Sequence, residues 1–173
     1  MSPEEIKVLV KDVPDFPKPG IVFKDITPLL SNAAAFAAIT ELLGMRAKAH
    51  DADAILAIES RGFIFGAALA YRLKLPMYLV RKRGKLPRET VSVEYDLEYG
   101  TDHIEVHADA VEKGRRYLVV DDVIATGGTA AAVAQLVAAQ GGKLAACLFV
   151  LELKYLNGRH RLDGHNVECL MGF

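Results

Sequence analysis

The chain alternates short apolar runs with stretches in which apolar residues recur at helical spacing. Apolar runs occupy residues 53–58, 76–80 and 118–120, and a longer one covers residues 144–153. Runs of this length and β-branched character are typical of strands that are covered on both faces of a sheet. The stretches between them are expected to be helices that pack against such a sheet. The pattern predicts an α/β fold with a mainly parallel central sheet that is flanked by helices on both faces.

The first 32 residues have a different character from the rest of the chain. A short helix is predicted within residues 1–13, and the prolines that follow it cannot continue a helix. Residues 21–26 are predicted to be extended, and Phe23 within them is expected to be a core residue unless further context assigns it another role. Ser31 or Asn32 offers an N-cap for the helix that comes next.

The most distinctive segment begins at the end of the strand predicted at residues 118–120. Two acids, Asp121 and Asp122, come first, and a glycine-threonine turn and a helix follow them. Glycine permits backbone conformations that let successive N–H groups point into one concavity, and the helix adds its free N-terminal donors. Such a pocket binds a phosphate dianion, and paired carboxylates beside it call for sugar hydroxyls or a cation. The segment therefore predicts a site for a sugar phosphate with Mg²⁺, and the alternative is a tight turn without a ligand. The turn consists of Ala125, Thr126, Gly127, Gly128 and Thr129.

Two further polar segments follow predicted strands. Ser60 and Arg61 come directly after the first strand, and a basic run over residues 81–88 follows the second. In open α/β sheets, ligands bind beyond the carboxyl ends of the strands, and guanidinium groups form charge-assisted forks with phosphate oxygens. Arg61 by itself is equally consistent with a surface position, but a second loop of this kind in one sheet favours an anionic ligand.

Residues 89–100 are polar, with scattered tyrosines. Their length and composition are typical of a mobile loop or a hairpin that closes over a ligand. Residues 103–107 alternate in character and are predicted to form the returning strand. His103 and His107 lack a partner pattern, so we expect both at the surface.

Bulk properties narrow the class of protein. With 173 residues, of which 51% are hydrophobic, the chain is predicted to form one domain with a substantial core. A net charge of −1 argues against nonspecific binding of nucleic acid. Cys147 and Cys169 lie in apolar contexts without metal-ligand spacing and are expected to be reduced. The amino terminus lacks the apolar core of a signal peptide, and no apolar run reaches membrane-spanning length. We therefore expect a cytoplasmic protein that binds neither nucleic acid nor membranes.

The segment over residues 117–129, with its Asp-Asp pair and its Ala-Thr-Gly-Gly-Thr turn, resembles the signature of the type I phosphoribosyltransferases. Other segments are similar to the members of that family that use adenine, and the resemblance covers the chain from about residue 15 to residue 153. It implies a single domain over residues 1–173, with a small N-terminal hood that consists mainly of residues 1–32. It also implies a flexible catalytic loop over about residues 84–100. The segments similar to the members that use adenine are residues 16–30, 60–63, 81–87 and 97–100.

The resemblance implies a reaction and its substrates. The 5-phosphoribosyl group is transferred from phosphoribosyl pyrophosphate to N9 of adenine, which gives AMP and pyrophosphate. Mg²⁺ is carried mainly by the substrate, and no protein ligand to the metal is assigned. Arg81 is expected to reach the pyrophosphate in the neighbouring subunit's site, so we also expect a homodimer.

Roles for individual residues follow from the same resemblance. Asp121 and Asp122 hold the ribose hydroxyls, and the turn over residues 125–129 binds the 5′-phosphate. Adenine stacks on Phe23 while backbone groups of its two neighbours bind the edge of the base. Relatives often carry arginine where this chain has lysine after Phe23, which leaves the side-chain contribution at that position open. The residues implied in adenine binding are Val22, Phe23 and Lys24.

The remaining implied roles concern the pyrophosphate and the chemistry. Ser60, Arg61, Arg81 and Lys85 are expected to bind pyrophosphate. Arg61 and Lys85 would neutralise charge on the leaving group, and Glu98 is expected to contact the imidazole side of adenine. Arg61, Lys85 and Glu98 are therefore the predicted catalytic residues.

Two alternatives stay open. Enzymes that use xanthine, hypoxanthine or orotate share the sugar-phosphate segment, and the region of Phe23 together with Glu98 makes the distinction. The same fold also serves as an effector-sensing module in non-enzymatic regulators. Those regulators carry a separate DNA-binding domain, for which this chain is neither long nor basic enough.

Overall fold

A computed structural model describes residues 1–96 and 100–173 of the chain, which form nine strands and five α-helices. The strands are β1 (Lys11–Pro14), β2 (Val22–Asp25), β3 (Ala54–Ile58), β4 (Met77–Lys82), β5 (Thr90–Asp96), β6 (Thr101–His107), β7 (Arg116–Ile124), β8 (Lys143–Glu152) and β9 (Val167–Gly172). The helices are α1 (Pro3–Lys7), α2 (Thr27–Leu30), α3 (Ala33–Ala47), α4 (Gly62–Leu73) and α5 (Gly128–Ala139). Short 3₁₀ helices cover Lys48–His50, Lys154–Leu156 and Gly158–Leu162.

Seven of the strands form one sheet in the order β5-β6-β4-β3-β7-β8-β9. Strands β4, β3, β7, β8 and β9 pair in parallel, whereas β6 pairs antiparallel with both β4 and β5. The prediction of a mainly parallel sheet is confirmed. Because parallel strands end on the same edge, the segments that follow β3, β4 and β7 meet there.

Two apolar clusters pack on the two faces of this sheet. Leu56 and Ile58 of β3 belong to the cluster that contains α5, whereas Ile55 and Ala57 belong to the cluster that contains α3 and α4. All residues of β3 are buried, as expected when helices cover both faces. The predicted two-sided helical covering is therefore confirmed.

The N-terminal strands stand apart from the main sheet. Strands β1 and β2 pair antiparallel with Val13 opposite Phe23, and we call residues 11–25 the N-terminal hairpin. The helix predicted within residues 1–13 is shorter than that range, since α1 ends at Lys7. Asn32 caps α3 as predicted, because its side chain accepts a hydrogen bond from the Ala35 N–H at 3.0 Å.

Of the two alternatives for residues 89–100, the structure has the hairpin. Strands β5 and β6 pair from Thr90 opposite His107 to Asp96 opposite Thr101. Residues 90–96, which lie within the predicted catalytic loop over about residues 84–100, form a regular strand of this hairpin, and the flexibility of that segment stays a prediction. His103 and His107 are half-buried rather than fully at the surface.

Both cysteines are free thiols. Burial raises the pKa of Cys147 and of Cys169 to about 12 in each case, so both thiols stay protonated at neutral pH. None of the described helices is long and apolar enough to cross a membrane.

Candidate active site

Three adjoining cavities lie where β3, β4 and β7 end. We call them the turn cavity (about 180 Å³), the basic cavity (about 250 Å³) and the apolar cleft (about 750 Å³). The basic cavity is named for Arg81 and Lys82, and its lining also contains the acids Glu59, Asp102 and Asp121. Asp121 and Thr129 line both the turn cavity and the basic cavity. Ala125 and Thr126 line both the turn cavity and the apolar cleft. The turn cavity therefore joins the other two.

The turn cavity is built by the glycine-threonine turn. Gly127 adopts φ +80°, a left-handed conformation that favours glycine, and α5 begins at the next residue. Gly128 itself is helical, so the predicted conformational freedom is used at Gly127 alone of these two glycines. In the described chain, the backbone N–H groups of residues 126–129 donate to no other protein group. Free N–H groups at a helix N-terminus form an anion site, which supports the phosphate prediction over a purely structural turn.

A second glycine supports this turn from outside the motif. Gly158 begins a 3₁₀ helix whose backbone packs directly against the turn, and a Cβ atom built on Gly158 would lie 2.9 Å from the Gly127 nitrogen. A Cβ atom on Gly127 would in turn collide with the carbonyl of Gly158. The sequence analysis missed Gly158, because an Asn-Gly pair in a polar connection indicates a turn and nothing about a distant partner.

The two acids lie inside β7 rather than after it, which corrects the predicted strand end. Asp121 and Asp122 point to opposite faces of the sheet, as successive strand residues do. Asp121 lines the turn cavity, whereas Asp122 is 3% exposed. The Asp122 Oδ2 lies 2.8 Å from the Arg61 Nε but without the geometry of a hydrogen bond, so the contact is an ion pair.

Burial raises the pKa of both acids, and the charge of a neighbouring carboxylate adds to the shift at Asp121. Burial, and then the negative charge of Asp122, hold the pKa of Asp121 well above its ordinary value. Burial also raises the pKa of Asp122, although the charge of Arg61 opposes the shift. A ligand that offers hydroxyl donors or a cation to Asp121 would favour its charged form.

Arg61 lies on the apolar cleft rather than in the basic cavity. Its guanidinium carbon is 4.9 Å from the centroid of the Phe23 ring, in addition to its ion pair with Asp122. Ser60 is exposed in the same loop, after a cis Glu59–Ser60 peptide bond, and lines none of the three cavities.

The basic cavity is organised by Glu59, a residue that the sequence analysis did not assign to the site. Its Oε2 accepts hydrogen bonds from the Lys82 backbone N–H at 2.8 Å and from the Arg81 Nε at 3.1 Å. Arg81 also donates to the carbonyl of Lys85 at 3.1 Å. Lys85 is exposed in the turn after β4, and its side chain is outside the cavity lining.

The hairpin formed by β5 and β6 supplies the opposite wall of the basic cavity. The Tyr95 hydroxyl lies 3.5 Å from the Thr129 Oγ1, and the Lys82 Nζ lies 3.0 Å from Asp102. The hydrogen bond to Asp102 raises the pKa of Lys82. Tyr95, Lys82 and Asp102 were missed because only the fold brings β4, β6 and α5 together. Glu98, the predicted contact to the imidazole side of adenine, lies outside the described residues.

The apolar cleft has two walls. One is the N-terminal hairpin, where Phe23 is half-buried and meets Phe16 edge-on, with ring centroids 5.2 Å apart. Phe23 is therefore a wall of an open cleft and not a core residue. The side chain of Lys24 pairs with Asp12. The opposite wall, which the sequence analysis left without a role, contains Leu153, Tyr155, Leu156 and Phe173.

Comparisons with known proteins agree with this geometry. The model of the phosphoribosyl transferase domain family matches residues 25–169. The adenine phosphoribosyltransferase of Geotalea uraniireducens (strain Rf4) is 50% identical over 170 residues, which cover 98% of this chain and 99% of that protein. The crystal structure of the adenine phosphoribosyltransferase of Thermoanaerobacter pseudethanolicus matches with a TM-score of 0.97 and 51% identity, over 99% of this chain and 100% of that one.

A further solved structure carries ligands. The adenine phosphoribosyltransferase of Saccharomyces cerevisiae, complexed with adenine and an imino-altritol bisphosphate, matches with a TM-score of 0.92 and 37% identity over 97% of each chain. These structures confirm the predicted fold class. With a family match over most of its length and relatives half identical to it from end to end, the chain belongs to the adenine phosphoribosyltransferases of the phosphoribosyl transferase domain family.

Proposed function

We propose that this chain transfers the 5-phosphoribosyl group from phosphoribosyl pyrophosphate to N9 of adenine, which gives AMP and pyrophosphate. The observation that carries the proposal is the turn cavity, with its free N–H groups, placed between an apolar cleft and a basic cavity. A 5′-phosphate, a planar base and a pyrophosphate need an anion site, an apolar site and a basic site in this arrangement.

The turn and Asp121 position the sugar. Backbone N–H groups of residues 126–129 bind the 5′-phosphate, and the hydroxyls of Thr126 and Thr129 add donors at the cavity wall. The carboxylate of Asp121 accepts hydrogen bonds from ribose hydroxyls. The ion pair with Asp122 holds Arg61 at the apolar cleft until phosphoribosyl pyrophosphate binds.

Adenine binds in the apolar cleft against Phe23. The Phe23 ring contacts Phe16 edge-on and lies against the Arg61 guanidinium. These two contacts set the orientation of the Phe23 ring before the base binds. Aromatic stacking favours a planar ligand, and the backbone of β2 beside it offers hydrogen bonds to the edge of the base. The ligands of the yeast enzyme support the choice of adenine for this cleft.

Electrostatic stabilisation of the leaving group lowers the barrier. Cleavage of the C1–O bond leaves an oxocarbenium-like sugar and a pyrophosphate with increased charge, which the cations of the basic cavity stabilise. Arg61 joins them by rotating away from Asp122, and Lys85 adds positive charge from the adjoining turn. N9 of adenine attacks from the opposite face of the ribose. The role of Glu98 as the group that contacts the imidazole side of adenine remains a prediction.

Mg²⁺ fits this site as a partner of the substrate. Among residues 1–96 and 100–173, no three His, Cys, Asp or Glu side chains converge on a metal-sized site. Mg²⁺ is commonly held by substrate phosphates with one or two carboxylates and waters, and Asp121 is the carboxylate available in the turn cavity. The ion would neutralise charge on the pyrophosphate when bound.

A homodimer completes the proposal. Arg81 lies near the end of β4 and is paired with Glu59 of its own chain. To act in a neighbouring site, as predicted, Arg81 either breaks its pair with Glu59 or is held by Glu59 in an orientation that points toward that site. Both routes need a second subunit beside β4.

A base panel tests the proposed function. Purified protein is incubated with phosphoribosyl pyrophosphate and Mg²⁺ together with adenine, hypoxanthine, xanthine or orotate, and pyrophosphate release is followed. Adenine should support turnover at a kcat/KM at least about a hundredfold above the other bases, because unpaired polar groups in an apolar cleft are costly. Preference for another base would overturn the assignment of adenine, and turnover with none would overturn the enzyme assignment.

A further inference from the structure

The N-terminal hairpin and helix α1 each place one lysine over the ring of Phe173, which follows β9. The Lys24 Nζ, on strand β2 of the hairpin, lies 4.7 Å from the centroid of the Phe173 ring. The Lys7 Nζ, on α1, lies 4.6 Å from the same centroid and donates a hydrogen bond to the carbonyl of Gly172. Both ammonium groups are within the range of cation–π attraction.

Phe173 is itself fixed to the main sheet. Its N–H donates to the carbonyl of Glu152 at 2.9 Å, and its carbonyl accepts from the N–H of Lys154 at 2.9 Å. Glu152 ends β8, which pairs with the strand that carries Asp121. The ring of Phe173 therefore has a fixed position relative to the turn cavity.

The same ring lines the apolar cleft. Phe173 shares that lining with Phe23 and Lys24 of the opposite wall and with Tyr155 of its own wall. The ring thus contacts the space for the base and also holds the strand across it. Removal of the ring would widen the cleft and release the hairpin in a single change.

We propose that Phe173 is a positioning and specificity-determining residue for the base, which rests on the proposed function of the cleft. Through its contact with Lys24, the Phe173 ring sets the distance between the two walls of the apolar cleft. The apolar surface of the ring offers no hydrogen-bond partner to an extra oxygen on a competing base. An oxygen buried against that surface loses its hydrogen bonds to water. Substitution of Phe173 should change the binding of the base and not the binding of phosphoribosyl pyrophosphate, since Phe173 does not line the turn cavity or the basic cavity.

Steady-state kinetics of Phe173→Ala, Phe173→Leu and Phe173→Tyr test the proposal. The KM for adenine should rise about tenfold in Phe173→Ala, as expected from the loss of the cation–π contact with Lys24 together with the apolar surface of the ring in the cleft. The KM for phosphoribosyl pyrophosphate should stay within about twofold of the wild-type value. Phe173→Tyr keeps the ring and should restore the wild-type KM for adenine, whereas Phe173→Leu, which keeps apolar bulk without a ring, should not. Tyr71→Ala is the control, because it removes an aromatic side chain that is 89% exposed on α4.

Hydrogen–deuterium exchange supplies a readout that is independent of catalysis. Amides of β2 should exchange faster in Phe173→Ala than in the wild-type protein and in Tyr71→Ala, because the hairpin loses its attachment. An unchanged KM for adenine with unchanged exchange would overturn the proposal while leaving the proposed function intact. An equal rise in both KM values would also overturn it, since it would indicate a general structural defect. Absence of AMP formation by the wild-type protein would instead overturn the proposed function.

Discussion

Gly158 offers a test of the turn cavity from outside the motif. It contributes no side chain to the site, yet its backbone packs against Ala125 and Gly127. In Gly158→Ala the new Cβ atom would lie 2.9 Å from the Gly127 nitrogen and closer still to the Ala125 carbonyl oxygen. Both neighbours are backbone atoms of the turn, so relief requires movement of the turn itself.

The size of the effect follows from the displacement. Ordinary van der Waals contact begins at 3.4 Å, so the Gly127 nitrogen must move by about 0.5 Å and the nearer Ala125 oxygen by more than that. The larger displacement exceeds the tolerance of about 0.5 Å within which a site holds its ligand. Misplacement by about 1 Å can reduce activity a hundredfold. We therefore expect kcat/KM for phosphoribosyl pyrophosphate to fall about 10- to 100-fold, or about 1.4–2.7 kcal/mol.

The assay is the rate of pyrophosphate release at varied concentrations of phosphoribosyl pyrophosphate, with saturating adenine. Gly164→Ala is the matched control, because Gly164 has φ +86° with open space around its Cβ position. It should lower the thermal unfolding midpoint through backbone strain of about 1–2 kcal/mol without changing the KM. A wild-type kcat/KM for phosphoribosyl pyrophosphate in Gly158→Ala would refute the reasoning that this glycine supports the turn over residues 125–129.

Two further predictions concern the charged residues. Asp121→Asn keeps the Oδ1 acceptor of the Asp122 N–H but removes a buried charge. Because a hydrogen bond to a charged group contributes about 1.5–3 kcal/mol, the affinity for phosphoribosyl pyrophosphate should fall at least about tenfold. The raised pKa of Asp121 means that the folded state binds its proton more tightly than the unfolded state, so stability falls as the pH rises through that pKa. The variant should therefore unfold at a higher temperature than the wild-type protein at neutral pH, and the difference should vanish as the pH approaches 3.8; calorimetry across pH checks this, and a variant less stable at neutral pH would contradict it. Arg81→Ala should be inactive, and mixing it with the Asp121→Asn protein should restore part of the activity if Arg81 acts in the neighbouring site; absence of restored activity in mixed dimers would indicate that it acts within its own chain.

Much of the fold was predictable because its signals are local. The apolar period of β3 and the N-cap at Asn32 depend on residues within a few positions of one another, and the structure confirms both. The turn over residues 125–129 is also local, because a glycine conformation and a helix N-terminus build its N–H donors. Its chemistry could therefore be inferred before any tertiary contact was known.

The orientation of site residues was less accessible. The apolar run over residues 118–120 predicts that Asp121 and Asp122 follow the strand as a pair, but β7 continues through both, so they face opposite sides of the sheet. The family resemblance implies that Arg61 binds pyrophosphate, which stays a prediction, and its observed contact with Phe23 depends on a hairpin more than thirty residues earlier in the chain. Charge and residue type do not specify which neighbour a long side chain meets.

Local patterns in the chain predicted the alternating strands and helices, the glycine-threonine turn and the kinds of residue available for chemistry. Packing between distant segments places Gly158 against that turn, Arg81 against Glu59, and Phe173 in the lining of the apolar cleft with Phe23. The two groups of features differ in the range of the interactions that produce them. Backbone conformation and apolar periodicity depend on near neighbours, whereas the walls of the site come from segments that packing brings together from distant parts of the chain.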